Sequence, residues 1–398
     1  MAELPAVADR PVVTDLPATA DAVVIGAGLV GAATAAALAG AGLRVCLLDR
    51  TGLLGGTSAA GEGNLLISDK RPGPEVDLML RSLRLWRDFA ASCADKYGDI
   101  EFEEKGGLVV AWTARQWASL RSLADEHQRA GVRIEELPGP SALEVEPLLS
   151  AQVHGAMRYP QDAQVSPMAA AAAFLRSADV TVVTGAAVTG ARLEAGALRA
   201  IHTERGTVST PCAVIAAGPW SGPVARLFGT DAPVRPRRGD IIVTEPVRRL
   251  IRHKVYEADY VSTVTGDGVG FSTVVEGTRS GTVLIGSSRE FVGFDPAARP
   301  ATVAELARHA TRLFPSLAGV RALRTYHGFR PATPDRRPLI GPDPHINGLF
   351  FAAGHEGAGI GLAPVTAELV AAQVTGTAPP VDPAPYDPAR FAAAGWAA

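Results

Sequence analysis

The stretch DAVVIGAGLVGAATAAALAGAGLRVCLLD, Asp21 to Asp49, decides the fold. The apolar run Ala22 to Ile25 has the length of a buried parallel strand. The alanine-rich Val30 to Ala39 is a strong helix former, and Arg44 to Leu48 reads as a second strand. This is a βαβ unit. Gly26, Gly28 and Gly31 stand at the G-x-G-x-x-G spacing. The first permits the tight turn, the second lets a pyrophosphate approach the backbone, and the third allows close helix–strand packing. The helix opening at Leu29 and Val30 offers N–H groups and a positive dipole end to an anion. Asp49 ends the next strand, 21 residues after Gly28, where its carboxylate can accept hydrogen bonds from ribose hydroxyls, with Arg50 beside it. Strand, helix and terminal acid in register predict a dinucleotide site. The glycine triplet alone does not separate NAD from FAD.

Outward from this unit the pattern is interrupted and resumed. A Gly-rich loop from Gly52 to Asn64 precedes an amphipathic helix near Glu75 to Tyr97. Short strand-like runs at Glu101 to Glu104 and Gly107 to Trp112 and a helix at Ala114 to Ala130 follow. From Val165 the α/β alternation returns, with a helix at Pro167 to Ser177, a strand at Val180 to Thr184, a hairpin-like pair around Gly196 and the run AVIAAGPWS at Ala213 to Ser221. Gly239 to Arg289 alternates in the antiparallel manner, with turns at Thr265 to Gly268 and Gly277 to Gly281. A helix near Pro364 to Val374 closes the fold.

The expected architecture is α/β: a discontinuous Rossmann-like nucleotide domain (21–85, 145–236, 325–380) with an inserted mixed, largely antiparallel β-sheet substrate domain (86–144, 237–324). Loose tails are expected at 1–20 and 381–398.

Composition narrows the partners. With 47% hydrophobic and 20% charged residues, the 398-residue chain fills a sizeable core. A formal net charge of -3 with scattered arginines argues against nucleic acid or an anionic membrane as the main partner. Cys46, Cys93 and Cys212 lie far apart, without ligand spacing, and read as buried reduced thiols; no metal site is expected. The first twenty residues do not have the pattern of a signal peptide, and no membrane-spanning helix is expected, so a cytoplasmic location is the expectation.

Three further motifs carry a family resemblance. GTSAAGEGN (Gly56 to Asn64), AVIAAGPWS, and GFRP…RPLIG with GHEGAGIGLAP together resemble the D-amino acid oxidase-like FAD oxidoreductases. That family includes glycine and sarcosine oxidases and the catalytic subunits of amine, opine, proline and hydroxyproline dehydrogenases. The resemblance runs from about Asp21 to Val374. It implies FAD as the cofactor, contacted by Gly56, Thr57, Ser58, Glu62, Gly63, Asn64 and Leu65, by Val188, by Ala217, Gly218 and Trp220, and by Gly328, His355, Glu356, Gly357, Gly359 and Ile360. No cysteine lies near the last segment or near His327, so non-covalent FAD is expected. An aromatic monooxygenase with a similar first domain is disfavoured, because its usual flavin motif before the final helix is replaced by GHEGAGIG.

The resemblance also implies hydride transfer from the α-carbon of an amino acid or amine to flavin N5, giving an imine. Arg330 sits where several relatives anchor the substrate carboxylate, and a guanidinium suits that task as a planar, permanently charged donor. The competing reading is a structural salt bridge to Glu62 or Asp335. His327 stands where many relatives have a bulky aromatic, and is read as a substrate contact or a partly buried structural histidine. His355 is read as pocket lining or loop support. Tyr256 and Tyr260 are candidate hydroxyl donors or core aromatics, and nothing places Lys254 near the flavin. Arg336 and Arg337 read as surface charges. GSSREFVGFD looks closest to dehydrogenase subunits resembling hydroxyproline, opine and hydrogen cyanide synthase enzymes. The alternative is therefore a subunit that passes electrons to a partner chain rather than to oxygen and is inactive alone.

Overall fold

Alternation along the first strand sets the layers of the molecule. In Ala22–Ile25, Ala22 and Val24 enter one core while Val23 and Ile25 enter another on the opposite face. The computed structural model describes residues 15–247, 250–258 and 270–392. The first face is covered by helix Leu29–Gly40, whose Ala32, Ala33, Ala35 and Ala36 are buried between the sheet and helices Pro167–Arg176 and Gly359–Thr375. The second is covered by a three-stranded antiparallel sheet, Val188–Glu194, Ala197–Thr203 and Gly206–Ser209, through Leu198, Ile201 and Val208.

The nucleotide sheet has six strands in the order Leu339–Pro342, Leu349–Ala353, Ala213–Ile215, Ala22–Ile25, Val45–Leu48, Val180–Val183. All neighbours are parallel except the first pair. The eight-stranded sheet runs Ala322–Ala332, Arg235–Thr244, Val283–Arg289, Gly270–Gly277, Lys254–Glu257, Gly107–Ala111, Gly155–Tyr159, Glu135–Pro138. It is antiparallel except between Lys254–Glu257 and Gly107–Ala111, a mixed sheet as expected.

Some boundaries differ from the sequence reading. Gly155–Tyr159 pairs with Gly107–Ala111 in the eight-stranded sheet, although it lies in the 145–236 segment. Ala322–Ala332 pairs with Arg235–Thr244 along its length, so residues 325–332 belong to this sheet too. Helix Pro300–Leu313 went unread, although Pro300 opens it and Leu306, Ala310 and Leu313 recur at helical spacing to pack under the sheet. Neither terminal segment is wholly loose. Ala18 and Ala20 bond to Ser209, and Tyr386 is buried with its hydroxyl donating to the Pro74 carbonyl at 2.6 Å.

Among the described residues, one helix, Glu356–Thr375, is long and apolar enough to cross a membrane. Its Leu362, Val365, Leu369 and Val370 are buried against the first helix and helix Pro74–Cys93. All three cysteines are buried free thiols.

Candidate cofactor and substrate site

The turn after the first strand is built for backbone approach. Gly26 has φ +111°, and a Cβ there would lie 2.6 Å from the Ala216 carbonyl oxygen. A Cβ on Gly31 would lie 1.9 Å from the Gly26 carbonyl oxygen, so the third glycine serves helix–strand packing and is not among the lining residues. Gly28 has no side chain to cap helix Leu29–Gly40; instead the Leu29 N–H donates to Ser58 Oγ at 2.9 Å. Asp49 accepts from the Ala27 N–H (2.9 Å) with one oxygen and from the Thr51 N–H (2.8 Å) with the other. These bonds pin the carboxylate at the cavity edge, and its further lone pairs suit ribose hydroxyls.

A cavity of about 310 Å³ runs from this turn to the eight-stranded sheet. Gly26, Gly28, Leu29, Val30, Asp49 and Arg50 line one end. The loop residues Gly56, Thr57, Ser58, Glu62 and Asn64, together with Ala217, Gly218 and Trp220, line its flank. Trp220 closes over Gly56, where a Cβ would stand 3.1 Å from the indole, and carries the Arg50 guanidinium 4.3 Å above its ring. Thr57 Oγ1 donates to the Phe329 carbonyl at 2.6 Å, tying the loop to the opposite sheet. This glycine-walled cleft at a helix N-terminus, open at the carboxyl ends of parallel strands, fits a dinucleotide such as FAD.

The far end is walled by the sheet. Gly328, Arg330 and Pro331 line it with Gly239, Ile241 and Ser287. Arg330 lies across Gly239, and its Nη1 donates to the Ser288 carbonyl at 3.1 Å and its Nη2 to Ser287 Oγ at 2.5 Å. Asp335, one of its two expected structural partners, pairs with Arg390 at 2.8 Å. His355, Glu356, Gly357, Gly359 and Ile360 complete the wall. Burial pushes the Glu356 carboxyl upward, but Arg289, Arg330 and Arg237 around it prevail and hold it below the usual range. The Arg237 contact is 3.3 Å. His355 bonds Thr366 Oγ1 through Nε2 at 2.9 Å, and burial lowers its pKa to about 3, so it is a neutral wall residue.

Several expected positions fall elsewhere. His327 alternates with Gly328 and Arg330 along its strand, so its ring packs 5.5 Å from Phe329 on the other face and does not line the cavity. Tyr256 is core, bonded to Ser68 Oγ, and Tyr260 lies outside the described residues. Gly63 has φ +95° and abuts the Val165 carbonyl, Leu65 is core, and Val188 packs into the second core; none of the three lines the cavity. Arg336 and Arg337 are half-buried rather than exposed. Lys254 is buried in an ion pair with Glu276, close enough to Glu62 to act on its charge.

Gly239, Ile241 and Ser287 were missed. Gly239 carried a signal, since a glycine inside a strand marks close approach. Ser287 carried none, because its place depends on how three strands pair.

Residues 21–373 match the family described as FAD dependent oxidoreductase, DAO. The chain is 30% identical over 380 residues to the glycine oxidase of Pseudomonas aeruginosa, covering 92% of this chain and 98% of that protein. It is 28% identical over 326 residues to the hydrogen cyanide synthase subunit HcnC of the same species, covering 80% and 75%. The crystal structure of glycine oxidase from Geobacillus kaustophilus superposes with a TM-score of 0.85 at 28% identity, over 93% of this chain and 98% of that one. The chain therefore belongs to the DAO family of FAD-dependent oxidoreductases.

Proposed function

We propose that the chain oxidises an amino acid or secondary amine at its α-carbon to an imine, with Arg330 anchoring the substrate carboxylate. The observation that carries this reading is a guanidinium on the cavity wall, braced from behind by Ser287 Oγ and the Ser288 carbonyl. A planar, braced guanidinium takes a carboxylate through two prongs with little further loss of rotamer freedom. FAD, when bound, supplies the oxidant that accepts the hydride leaving the α-carbon. The glycine turn and the helix N-terminus would hold its phosphates, Asp49 its ribose, and Trp220 would cover its flank. FAD is held non-covalently. His355, being neutral, shapes the wall without contributing charge.

The test is anaerobic flavin bleaching against D- and L-amino acids, N-methylglycine, proline derivatives and opines. Bleaching by at least one carboxylate-bearing amine is expected. No bleaching by any amine would sink the proposal.

A second reading, a subunit that hands its electrons to a partner chain, is favoured by an aromatic patch beside the cavity. Phe291 and Phe294 are 47% and 39% exposed, and Phe294 stacks on Trp220 with ring centroids 5.1 Å apart. The relative HcnC is itself named as a subunit. Rapid peroxide release at substrate saturation supports the oxidase, and slow reoxidation by oxygen supports the subunit.

A further inference from the structure

The cavity that Arg330 lines from the sheet is also lined by a carboxylate, Glu62, from the facing loop. Glu62 reaches out of the loop onto the eight-stranded sheet, where Oε1 lies so close to Gly286 that a Cβ there would stand 1.7 Å away. Only glycine admits it. Its Oε2 accepts from Asn64 Nδ2 at 2.9 Å. Among the described residues, Glu62 Oε1 and Asn64 Oδ1 are both shielded from solvent and both lack a hydrogen-bond donor. Two adjacent acceptors without donors, on two residues that line the cavity, each carry a cost of about 1–3 kcal/mol that an N–H donor brought beside them would remove.

The electrostatics agree. Lys254 and Glu276 from neighbouring strands, and Arg330 and Tyr326 from strand Ala322–Ala332, face Glu62, with Asn64 beside it. Burial raises its pKa; Lys254 opposes this, Glu276 adds to it, and Arg330 and Asn64 oppose it. A buried carboxylate with a raised pKa is suited to taking a proton.

We infer that Glu62 is the amine-side counterpart of Arg330: with Asn64 it receives the substrate ammonium and takes one of its protons, so that the amine is neutral when the α-carbon is oxidised. This rests on the amino-acid reading given above. In the transfer an N–H bond of the ammonium breaks, an O–H bond forms on the Glu62 carboxylate, and the electron pair stays on nitrogen. Pairing a guanidinium with a carboxylate across one cavity matches the two charges of a zwitterion. A substrate with only a carboxylate satisfies just one of them.

The test is Glu62→Gln in the FAD-loaded protein, which keeps the shape and removes the charge. Three quantities are read: retained FAD absorbance, the Kd of acetate from the flavin spectrum, and the pH profile of anaerobic bleaching by an amino acid that bleaches the wild type. The expected result, read per bound FAD, is an acetate Kd within about twofold of wild type. Bleaching should be slower by roughly 100-fold near neutrality, with its acid limb moved toward the pKa of the free ammonium. An unchanged pH profile overturns the proposal, as does parallel weakening of acetate and amino acid, which would mark Glu62 as a structural prop. If acetate binds the wild type but no amine bleaches it, the amino-acid reading fails first and this inference falls with it.

Discussion

Arg330 owes its place to a residue across the sheet that has no side chain. A Cβ on Gly239 would stand 2.3 Å from Nη1 of Arg330, so the guanidinium lies where only glycine leaves room. Arg330→Ala should keep FAD but weaken a carboxylate-bearing substrate by roughly 2–5 kcal/mol, a loss of about thirtyfold or more, read by flavin titration. Gly239→Ala should weaken the same ligand by displacing Arg330 while leaving FAD content unchanged. Equal loss from both, with acetate binding intact, would return Arg330 to a structural role. The sequence marked Arg330 through its place in a motif and left His327, three residues earlier, open between a substrate contact and a structural histidine, because a motif does not say which face of a strand each residue takes. Alternation with Arg330 would have said so, had TYHGFRP been read as strand.

At the scale of elements, the dinucleotide turn and the closing helix hold one another in register. Helix Leu29–Gly40 can sit against its strand only because Gly31 abuts the Gly26 carbonyl, and Gly361 similarly admits Met79, with a Cβ contact of 2.9 Å. The Gly361 carbonyl accepts from Trp86 Nε1 at 3.0 Å, which joins the closing helix to helix Pro74–Cys93. Gly31→Ala should push the helix off the turn, and a protein that purifies folded but without flavin absorbance is the expected outcome. These elements were legible from glycine spacing and apolar period. The strand Gly155–Tyr159 was not, since GAMRY has no clear alternation and its pairing with Gly107–Ala111 is non-local.

Across the whole molecule, a buried acid ties the segment after Asn64–Leu65 to the eight-stranded sheet. Asp162 accepts from the Ile67 N–H at 2.7 Å and is bonded to Ser68 Oγ, which Tyr256 also contacts from the eight-stranded sheet. Burial is the main cause that raises its pKa from 3.8 to about 7, against the opposing bonds from Ser68 and Ile67. Because the folded value lies above the unfolded one, its contribution to stability is fully present below about pH 4. It is lost as pH rises through about 7, on the order of 4 kcal/mol at about 1.4 kcal/mol per unit. The difference in Tm between wild type and Asp162→Asn should therefore change steadily across that window, and a constant difference would contradict the assignment. The cysteines bear on the cofactor at this scale. Cys46 and Cys212 lie within the nucleotide sheet and its border, where burial pushes both thiols up to about 12, and no cysteine lines the cavity. Acid precipitation should accordingly leave the yellow colour in the supernatant; a yellow pellet would show a covalent link.

The sequence by itself determined the βαβ unit and the glycine turn, because each rests on local spacing: a strand's length, a helix's period, three glycines placed for backbone approach; the family and its cofactor came from the resemblance of four motifs in order. Tertiary structure alone decided the substrate end of the cavity. Arg330, Ser287, Gly239 and Glu62 come from strands and a loop far apart in the chain, and what each touches depends on strand order, register and face. A strand's side chains change face with every residue, so a shift of one position in pairing would have exchanged Arg330 for its neighbour. Only the fold shows that a guanidinium and a carboxylate line one cavity.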